Sequence, residues 1–466
     1  MSSPTFLSLR ERAEASRLIA RHDERVPRYT SYPTAPHFTP AVGPSVYARW
    51  LSELPAEAPL SLYFHVPFCE RLCFYCGCNT QVVRLESAHR AYAAQLLSEL
   101  DRVAGAIGRR GPVSHVHWGG GTPTALPGDC LLTIMERLRE RFAISDDAEI
   151  AIEIDPTALA DDRRDALKPM GVTRISLGVQ DLEPAVQRAI GREQSYEQTA
   201  ACAEAARALG VTSLNLDLIY GLPLQTEESV ARTARRALDL AADRVAVFGY
   251  AHVPWMKRHQ ALIPEDALPG AVDRYAQLLG IHRVLVDEGG YIPVGLDHYA
   301  RPGDSLAKAA KQGNVKRSFQ GYTTDAAPAL IGFGASAIGS LPQGYVQNVP
   351  AAAPYGREID EGRLATVRGF ALAADDRLRR DLIEQLMCDL VVDIEAVAKT
   401  HDADPGPLIA DAAEGIDRFV EDGLCFWDGS LIAVTKQGRP FVRSIAALFD
   451  VYLQRRNDKP RHARAI

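Results

Sequence analysis

The sequence predicts an α/β fold: a partial (β/α)6-type, TIM-like barrel with an N-terminal extension and a mostly helical, winged-helix-like C-terminal domain. Three observations lead there. Short apolar runs rich in β-branched residues alternate with helical patterns between residues 61 and 296, which is the mark of parallel strands covered by helices. The C-terminal ends of those runs are polar or glycine-rich, as on the ligand-binding face of parallel α/β folds. After about residue 360 the pattern changes to long helical faces and a hairpin. Periodicity alone also admits a doubly wound sheet.

The elements divide the chain into an extension at 1–55, a barrel at 56–355 and a helical domain at 360–466. VPRYTSYPTAPHF, within the extension, is too apolar for a free linker and should pack on the barrel. Expected strands are 61–66, 114–118, 149–154, 174–179, 213–219, 244–250 and 291–296. Between the first two, Tyr92, Leu96, Leu100, Val103 and Ile107 line one helical face. Asp161 to Leu167 reads as a helix closed by Gly171. Six or seven such units fall one or two short of a closed eight-stranded barrel. In the last region, Asp375 is placed to cap a helix with face Leu378, Leu382, Leu386, Leu390 and Ile394. DGLCFWDGSLIAVTKQG reads as a hairpin, Pro440 to Leu453 as an amphipathic helix, and RRNDKPRHARAI as a solvated basic tail.

With 466 residues, 47% of them hydrophobic, the chain can build a sizeable core. A net charge of −7 argues against general affinity for nucleic acid or an anionic membrane. The first residues lack a signal-peptide core, and no run of about eighteen apolar residues occurs. A cytoplasmic protein with reduced thiols is expected.

Four of the eight cysteines, Cys69, Cys73, Cys76 and Cys78, fall within ten residues, in HVPFCERLCFYCGCNT directly after the first strand. In a reducing compartment such a group points to metal or redox chemistry. The others (Cys130, Cys202, Cys388 and Cys425) read as small buried or half-buried residues. Thiolates are soft ligands that suit iron–sulfur clusters and zinc. Cys69-x3-Cys73-x2-Cys76 supplies three thiolates from one loop. A [4Fe–4S] cube held by three leaves one iron open to the amino and carboxylate groups of S-adenosylmethionine. A zinc site would use all four sulfurs, although zinc sites usually pair two separated knuckles. A ferredoxin-like electron carrier would take Cys78 as fourth ligand, one residue beyond Cys76, an awkward spacing.

The C-x3-C-x2-C pattern with Tyr75 before its third cysteine resembles that of radical S-adenosylmethionine enzymes. The longer form ending at Cys78, with Tyr63-x-His65 before it and GGGTP at 119–123 after it, is similar to the oxygen-independent coproporphyrinogen III oxidase family. RYTSYPTA at 28–35, EIDP at 153–156, GVQD at 178–181, NLDLIYGLP at 215–223, GLDHYARP at 295–302, FQGYTT at 319–324 and GASAI at 334–338 extend the likeness over nearly the whole chain.

That resemblance implies a [4Fe–4S] cluster on Cys69, Cys73 and Cys76, with Cys78 near it but not ligating. It also implies two S-adenosylmethionine molecules. Tyr63, Gly120, Glu153 and Ile338 would line the cluster-bound one, and Tyr75, Gly121, Thr122, Gln180, Arg192, Asp217 and Ala251 the second. No further catalytic side chain is implied. The reaction would be oxidative decarboxylation of two propionates of coproporphyrinogen III to vinyl groups, giving protoporphyrinogen IX in haem biosynthesis. A 5′-deoxyadenosyl radical takes hydrogen from each β-carbon and carbon dioxide leaves. A low-potential electron donor protein and an electron acceptor would be partners of a monomer. His298, Arg301, Lys311 and Arg317 are bases that a tetracarboxylate could use, or ordinary surface charges. A haem-binding chaperone of the superfamily is the nearest competitor, but such proteins generally lack the Cys78-type cysteine and the RYTSYPTA region.

Overall fold

The structure, a computed structural model, describes residues 7–108, 112–454 and 464. Six strands lie side by side in chain order, each parallel to the next: β1 (Leu60–Val66), β2 (Pro112–Gly120), β3 (Ala143–Ile154), β4 (Arg174–Gln180), β5 (Ser213–Tyr220) and β6 (Arg244–Gly249). Helices Glu86–Ile107, Gly128–Arg141, Asp161–Met170, Tyr196–Ala208, Glu227–Asp239 and Ala271–Arg283 follow them in turn. The order never reverses, so the sheet winds one way, as a barrel does and a doubly wound sheet does not.

Two flanks extend this arc, antiparallel throughout on one side and antiparallel after a first parallel strand on the other. Beyond β6 come β7 (Ile292–Val294) and β8 (His298–Ala300); beyond β1 come β9 (Ala329–Phe333), β10 (Ile338–Leu341), β11 (Gly344–Asn348) and β12 (Thr366–Ala371). The terminal strands β7 and β12 do not pair with each other, so the barrel stays partial. The expected seventh strand at 291–296 needs correction. Only three of its residues are a strand, and antiparallel β8 separates them from β6. Pro293 lacks a backbone N–H, and Gly295 turns the chain back at φ +51°, where an added Cβ would strike the Tyr322 ring. The seventh parallel strand is β9, which pairs with the free side of β1.

Period-two alternation decides which side chains reach the site. Leu60, Leu62, Phe64 and Val66 of β1 are fully buried against the helices, where each contributes about 1.5–3 kcal/mol. Phe64 stacks on Trp118 at 4.4 Å and on Phe333 at 4.8 Å. Tyr63 and His65 therefore face the inside. Behind the sheet, Tyr92, Leu96, Leu100, Val103 and Ile107 are all buried, as their spacing predicts. Helix Asp161–Met170 ends at left-handed Gly171.

A second core joins the first thirty-odd residues to the last ninety. Leu18, Ile19, Tyr29 and Tyr32 pack with Leu382, Leu386, Phe419, Phe441 and Phe449, while Val42, Tyr47, Trp50 and Leu51 pack in the barrel core. Helix Ala374–Asp389 buries Leu378, Leu382 and Leu386. Its cap is not Asp375: the carboxylate of Asp376 accepts the Ala373 N–H at 2.9 Å. Nor does the helix reach Ile394. Leu390 turns left-handed and β13 (Val391–Asp393) intervenes, joining β14 (Cys425–Trp427) and β15 (Leu431–Val434) in a three-stranded sheet. The segment expected as one amphipathic helix from Pro440 is instead four short pieces between Arg439 and Gln454. Val442 to Ala446 are buried on every side, because the N-terminal segment covers the face left open by the helices; Ser444 Oγ donates to His22 O at 2.9 Å. The basic tail lies outside the described residues except for Arg464.

Candidate active site

Inside β1 to β5, polar side chains follow one another at the C-terminal ends. The Tyr63 hydroxyl stands 3.0 Å from His65 Nδ1, and His65 Nε2 stands 3.1 Å from Asn79 O. A carbonyl only accepts, so Nε2 carries the proton and Nδ1 accepts from Tyr63. Burial lowers the pKa of His65 and keeps the ring neutral. The Tyr63 ring stacks on His117 of β2 at 5.8 Å, and His117 Nε2 lies 3.2 Å from Glu153 Oε1 of β3. The other Glu153 oxygen accepts the Gly120 N–H at 3.1 Å. Burial pushes the Glu153 carboxyl up, but His117 and the Gly120 N–H outweigh it and hold the pKa below its ordinary value.

On β5, Asp217 takes hydrogen bonds from Ser176 Oγ at 3.0 Å and Asn215 Nδ2 at 2.8 Å. Its pKa is pushed up to about 6 by burial and by the charge of Glu153. Gln180, at the end of β4, is held at φ +66°, a conformation a side chain rarely adopts outside functional sites.

The cysteine loop crosses this face. Cys69 sits on a two-residue strand paired with Gln81–Val82 and is half-buried; Cys73 is buried, Cys76 half-buried and Cys78 exposed. Thr122 Oγ1 donates to Cys69 Sγ at 3.8 Å. The buried Arg192 donates Nη1 to Cys73 Sγ at 3.7 Å and to Asp155 at 3.1 Å, and Nη2 to Gly178 O at 2.8 Å. Burial raises the Cys69 thiol to about 11. The Cys76 thiol is pulled down by a hydrogen bond from Cys78 and by Lys257 and His259. These two bases belong to a loop after β6 that clasps the cysteines: His259 Nε2 meets Cys76 O at 2.7 Å, Lys257 Nζ donates to Cys78 O at 2.8 Å, and Gln260 Nε2 to Tyr75 O at 2.9 Å.

Tyr63, Gly120 and Glu153 thus share one network, and Asp217 lies close enough to Glu153 to feel its charge. Arg192 lies between the cysteine loop and β4, with Tyr75 nearby. Gly121 donates to Val66 O at 2.8 Å, and a Cβ there would stand 2.6 Å from Phe68 O, so the main chain fills this corner. Ile338 opens β10 beside Gly332, the register partner of Tyr63. Ala251 lines a cleft with Arg28 and Tyr250. Sequence reasoning missed His117, Lys257, His259 and Gln260. His117 has a signal, since it falls at the inner period of β2 opposite Tyr63. The loop bases have none, because their reach to the cysteines spans more than 170 residues.

Among the described residues no three His, Cys, Asp or Glu side chains converge closely enough to hold a single metal ion. The donor set nonetheless suits an iron–sulfur cluster: three soft sulfurs on one loop, beside an arginine whose buried Nε has no partner and remains free to donate to an anion. The backbone at Gly120 and Gly121 also leaves room for nothing larger than glycine, which keeps a close approach open.

Residues 63–237 match the family model described as the Radical SAM superfamily, and residues 372–441 the one described as the HemN C-terminal domain. The chain is 49% identical over 448 residues to the oxygen-independent coproporphyrinogen III oxidase of Bradyrhizobium diazoefficiens, covering 96% of this chain and 99% of that one. Against the Escherichia coli protein of the same name the identity is 40% over 449 residues, 96% and 98% of the two chains. The solved structure of coproporphyrinogen III oxidase (HemN) from Escherichia coli, a radical SAM enzyme, superimposes with a TM-score of 0.86 at 39% identity, covering 92% of this chain and 100% of that one. Partial barrel, cysteine loop and strand-end network together are those of a radical S-adenosylmethionine enzyme, a class whose cofactors are a [4Fe–4S] cluster and S-adenosylmethionine. Within that class, the chain belongs to the oxygen-independent coproporphyrinogen III oxidase family. No helix among the described residues is long and apolar enough to cross a membrane.

Proposed function

We propose that this protein converts coproporphyrinogen III to protoporphyrinogen IX without oxygen, decarboxylating two propionates to vinyl groups in haem biosynthesis. The observation that carries the reading is full-length likeness to proteins named for this activity, with cysteine loop, strand ends and C-terminal domain all inside the matched span. Cys69, Cys73 and Cys76 would hold the [4Fe–4S] cluster. When bound, the cluster and S-adenosylmethionine supply the low-potential electron and the carbon radical that takes hydrogen from a propionate β-carbon.

The chain's own part is placement. Glu153, ionised and anchored by His117 and Gly120, can accept from an ammonium group, while neutral His65 fixes Tyr63 beside it. Ile338 would complete the walls of this first pocket. Arg192 has a donor spare for a carboxylate, and Asp217 can accept ribose hydroxyls. We assign these two, with Tyr75, Gly121, Thr122, Gln180 and Ala251, to a second S-adenosylmethionine. Burial of Thr122 and Cys73 keeps bulk water from this corner. Our reading further divides the chain at 1–55, 56–355 and 360–466. It also makes the protein a cytoplasmic monomer served by a low-potential donor protein and a separate electron acceptor.

The test is anaerobic incubation of reconstituted protein with reductant, S-adenosylmethionine and coproporphyrinogen III, followed by porphyrin analysis after oxidation. Protoporphyrin should accumulate with two carbon dioxide released per molecule. Nucleoside release with an unchanged tetracarboxylate would overturn the substrate assignment.

A further inference from the structure

A cleft opens where the N-terminal segment, the ends of β5 and β6 and the C-terminal domain meet, and it is lined by Arg28, Arg274, Arg317, Arg443 and Arg464 with Tyr220 and a single carboxylate, Asp297. Arg443 donates to Arg464 O at 2.9 Å and Arg464 pairs with Asp23 at 3.4 Å, which leaves Arg28, Arg274 and Arg317 around one acid, a grouping costly to bring together unless something anionic sits among them. Among the described residues, Arg28, Arg274 and Arg317 form no ion pair with an acid. Arg28 Nη2 donates to Gly249 O at 2.8 Å, and Arg317 reaches Arg28 O at 3.0 Å, so these two hold main chain. Arg274 lies over the Tyr220 ring at 5.6 Å. Nη1 of Arg317 is buried with no hydrogen-bond partner.

We propose that this cleft is the carboxylate-binding pocket for the substrate, with Arg28, Arg274 and Arg317 receiving its propionates; this rests on the substrate class proposed above. Position supports it. Asp217 pairs in register with Ala246 of β6, and Ala246 with His298 of β8, which stands 2.8 Å from Asp297. The arginines therefore border the strand ends that carry the network of Glu153 and Asp217. Planar guanidinium forks match carboxylates two bonds at a time, which an ammonium cannot do. A tetracarboxylate reaching here with some of its propionates can leave another near the reaction centre.

The experiment titrates coproporphyrin III, a coloured tetracarboxylate of the same side chains, into the full-length protein by fluorescence quenching. Wild type should bind it, bind dicarboxylate protoporphyrin more weakly, and bind the tetramethyl ester least. Arg274→Gln and Arg317→Lys should each weaken coproporphyrin III at least about tenfold. Titrated in parallel, S-adenosylmethionine should bind these variants as it binds wild type. If the variants lose S-adenosylmethionine instead, the cleft serves a cofactor carboxylate and the proposal falls. Unchanged porphyrin affinity in folded variants, with wild type active on coproporphyrinogen, refutes the pocket and spares the function. A wild type that binds ester and acid alike overturns the pocket without any variant, and one that neither binds nor converts the tetracarboxylate overturns both.

Discussion

Glu99 lies on the first crossover helix, is fully buried, and among the described residues forms no ion pair. Its carboxyl takes three hydrogen bonds of 2.7 Å: from the Gly334 N–H and the Tyr355 hydroxyl on one oxygen, and from Asn348 Nδ2 on the other. Burial is the larger effect and raises the pKa from 4.5 to about 7, although those three donors oppose it. In the unfolded chain the carboxyl loses its proton near 4.5, while the folded protein keeps it to about 7. Between these values the folded state binds more protons, so stability is greatest below the window and falls as pH rises through it. At about 1.4 kcal/mol per pH unit, the full interval costs about 3 kcal/mol, with no further change above pH ~7. Glu99→Gln removes the titration. The assay compares urea unfolding of wild type and variant across the range from about pH 5 to about pH 8. The stability difference should slide by about 2–3 kcal/mol against wild type between pH ~5 and pH ~7 and then level. A difference that stays flat would mean that Glu99 is ionised throughout, and the reasoning about its burial would be wrong. The site is touched as well, because Gly334 packs on His65 O, whose other partner is the Tyr92 hydroxyl at 2.8 Å.

Cys73→Ser should leave the purified protein without iron or labile sulfide and without cleavage of S-adenosylmethionine on reduction; retained cleavage would remove Cys73 from the ligand set. Asp217→Ala should keep the cluster's absorption but impair turnover. In wild type, affinity for S-adenosylmethionine should rise as pH passes about 6, where Asp217 ionises, and in Asp217→Asn that rise should vanish. Gly120→Ala puts a Cβ 2.5 Å from His65 Cε1 at φ +111°. Displacement of that ring should weaken S-adenosylmethionine at least about tenfold by anaerobic calorimetry with iron content unchanged; wild-type affinity would show that His65 does not position the pocket.

The cysteine spacing, the six β/α units and the inner-facing residues at their ends are local patterns. Tyr63, Glu153, Gln180 and Asp217 could be placed on one face because strand side chains alternate and parallel strands end together. The same logic failed at 291–296, where Pro293 and Gly295 turn an apolar run into an edge hairpin. It failed again after Pro440, where a pattern read as one amphipathic helix is broken at Asp450, whose carboxylate takes the Tyr29 hydroxyl at 3.0 Å and the Tyr452 N–H at 2.9 Å.

What the sequence by itself determined was chemistry carried by neighbours in the chain: three soft sulfurs within one loop, glycines where the backbone must approach closely, and the run of strands that sets them at one rim. Only the tertiary structure decided that β9 rather than residues 291–296 completes the parallel set, and that Glu99 holds a loop 235 residues away. It alone gathered Arg28, Arg274, Arg317 and Arg443 around one cleft. The reason is physical: alternation and helical period act over a few residues, whereas the meeting of distant side chains depends on how whole layers pack.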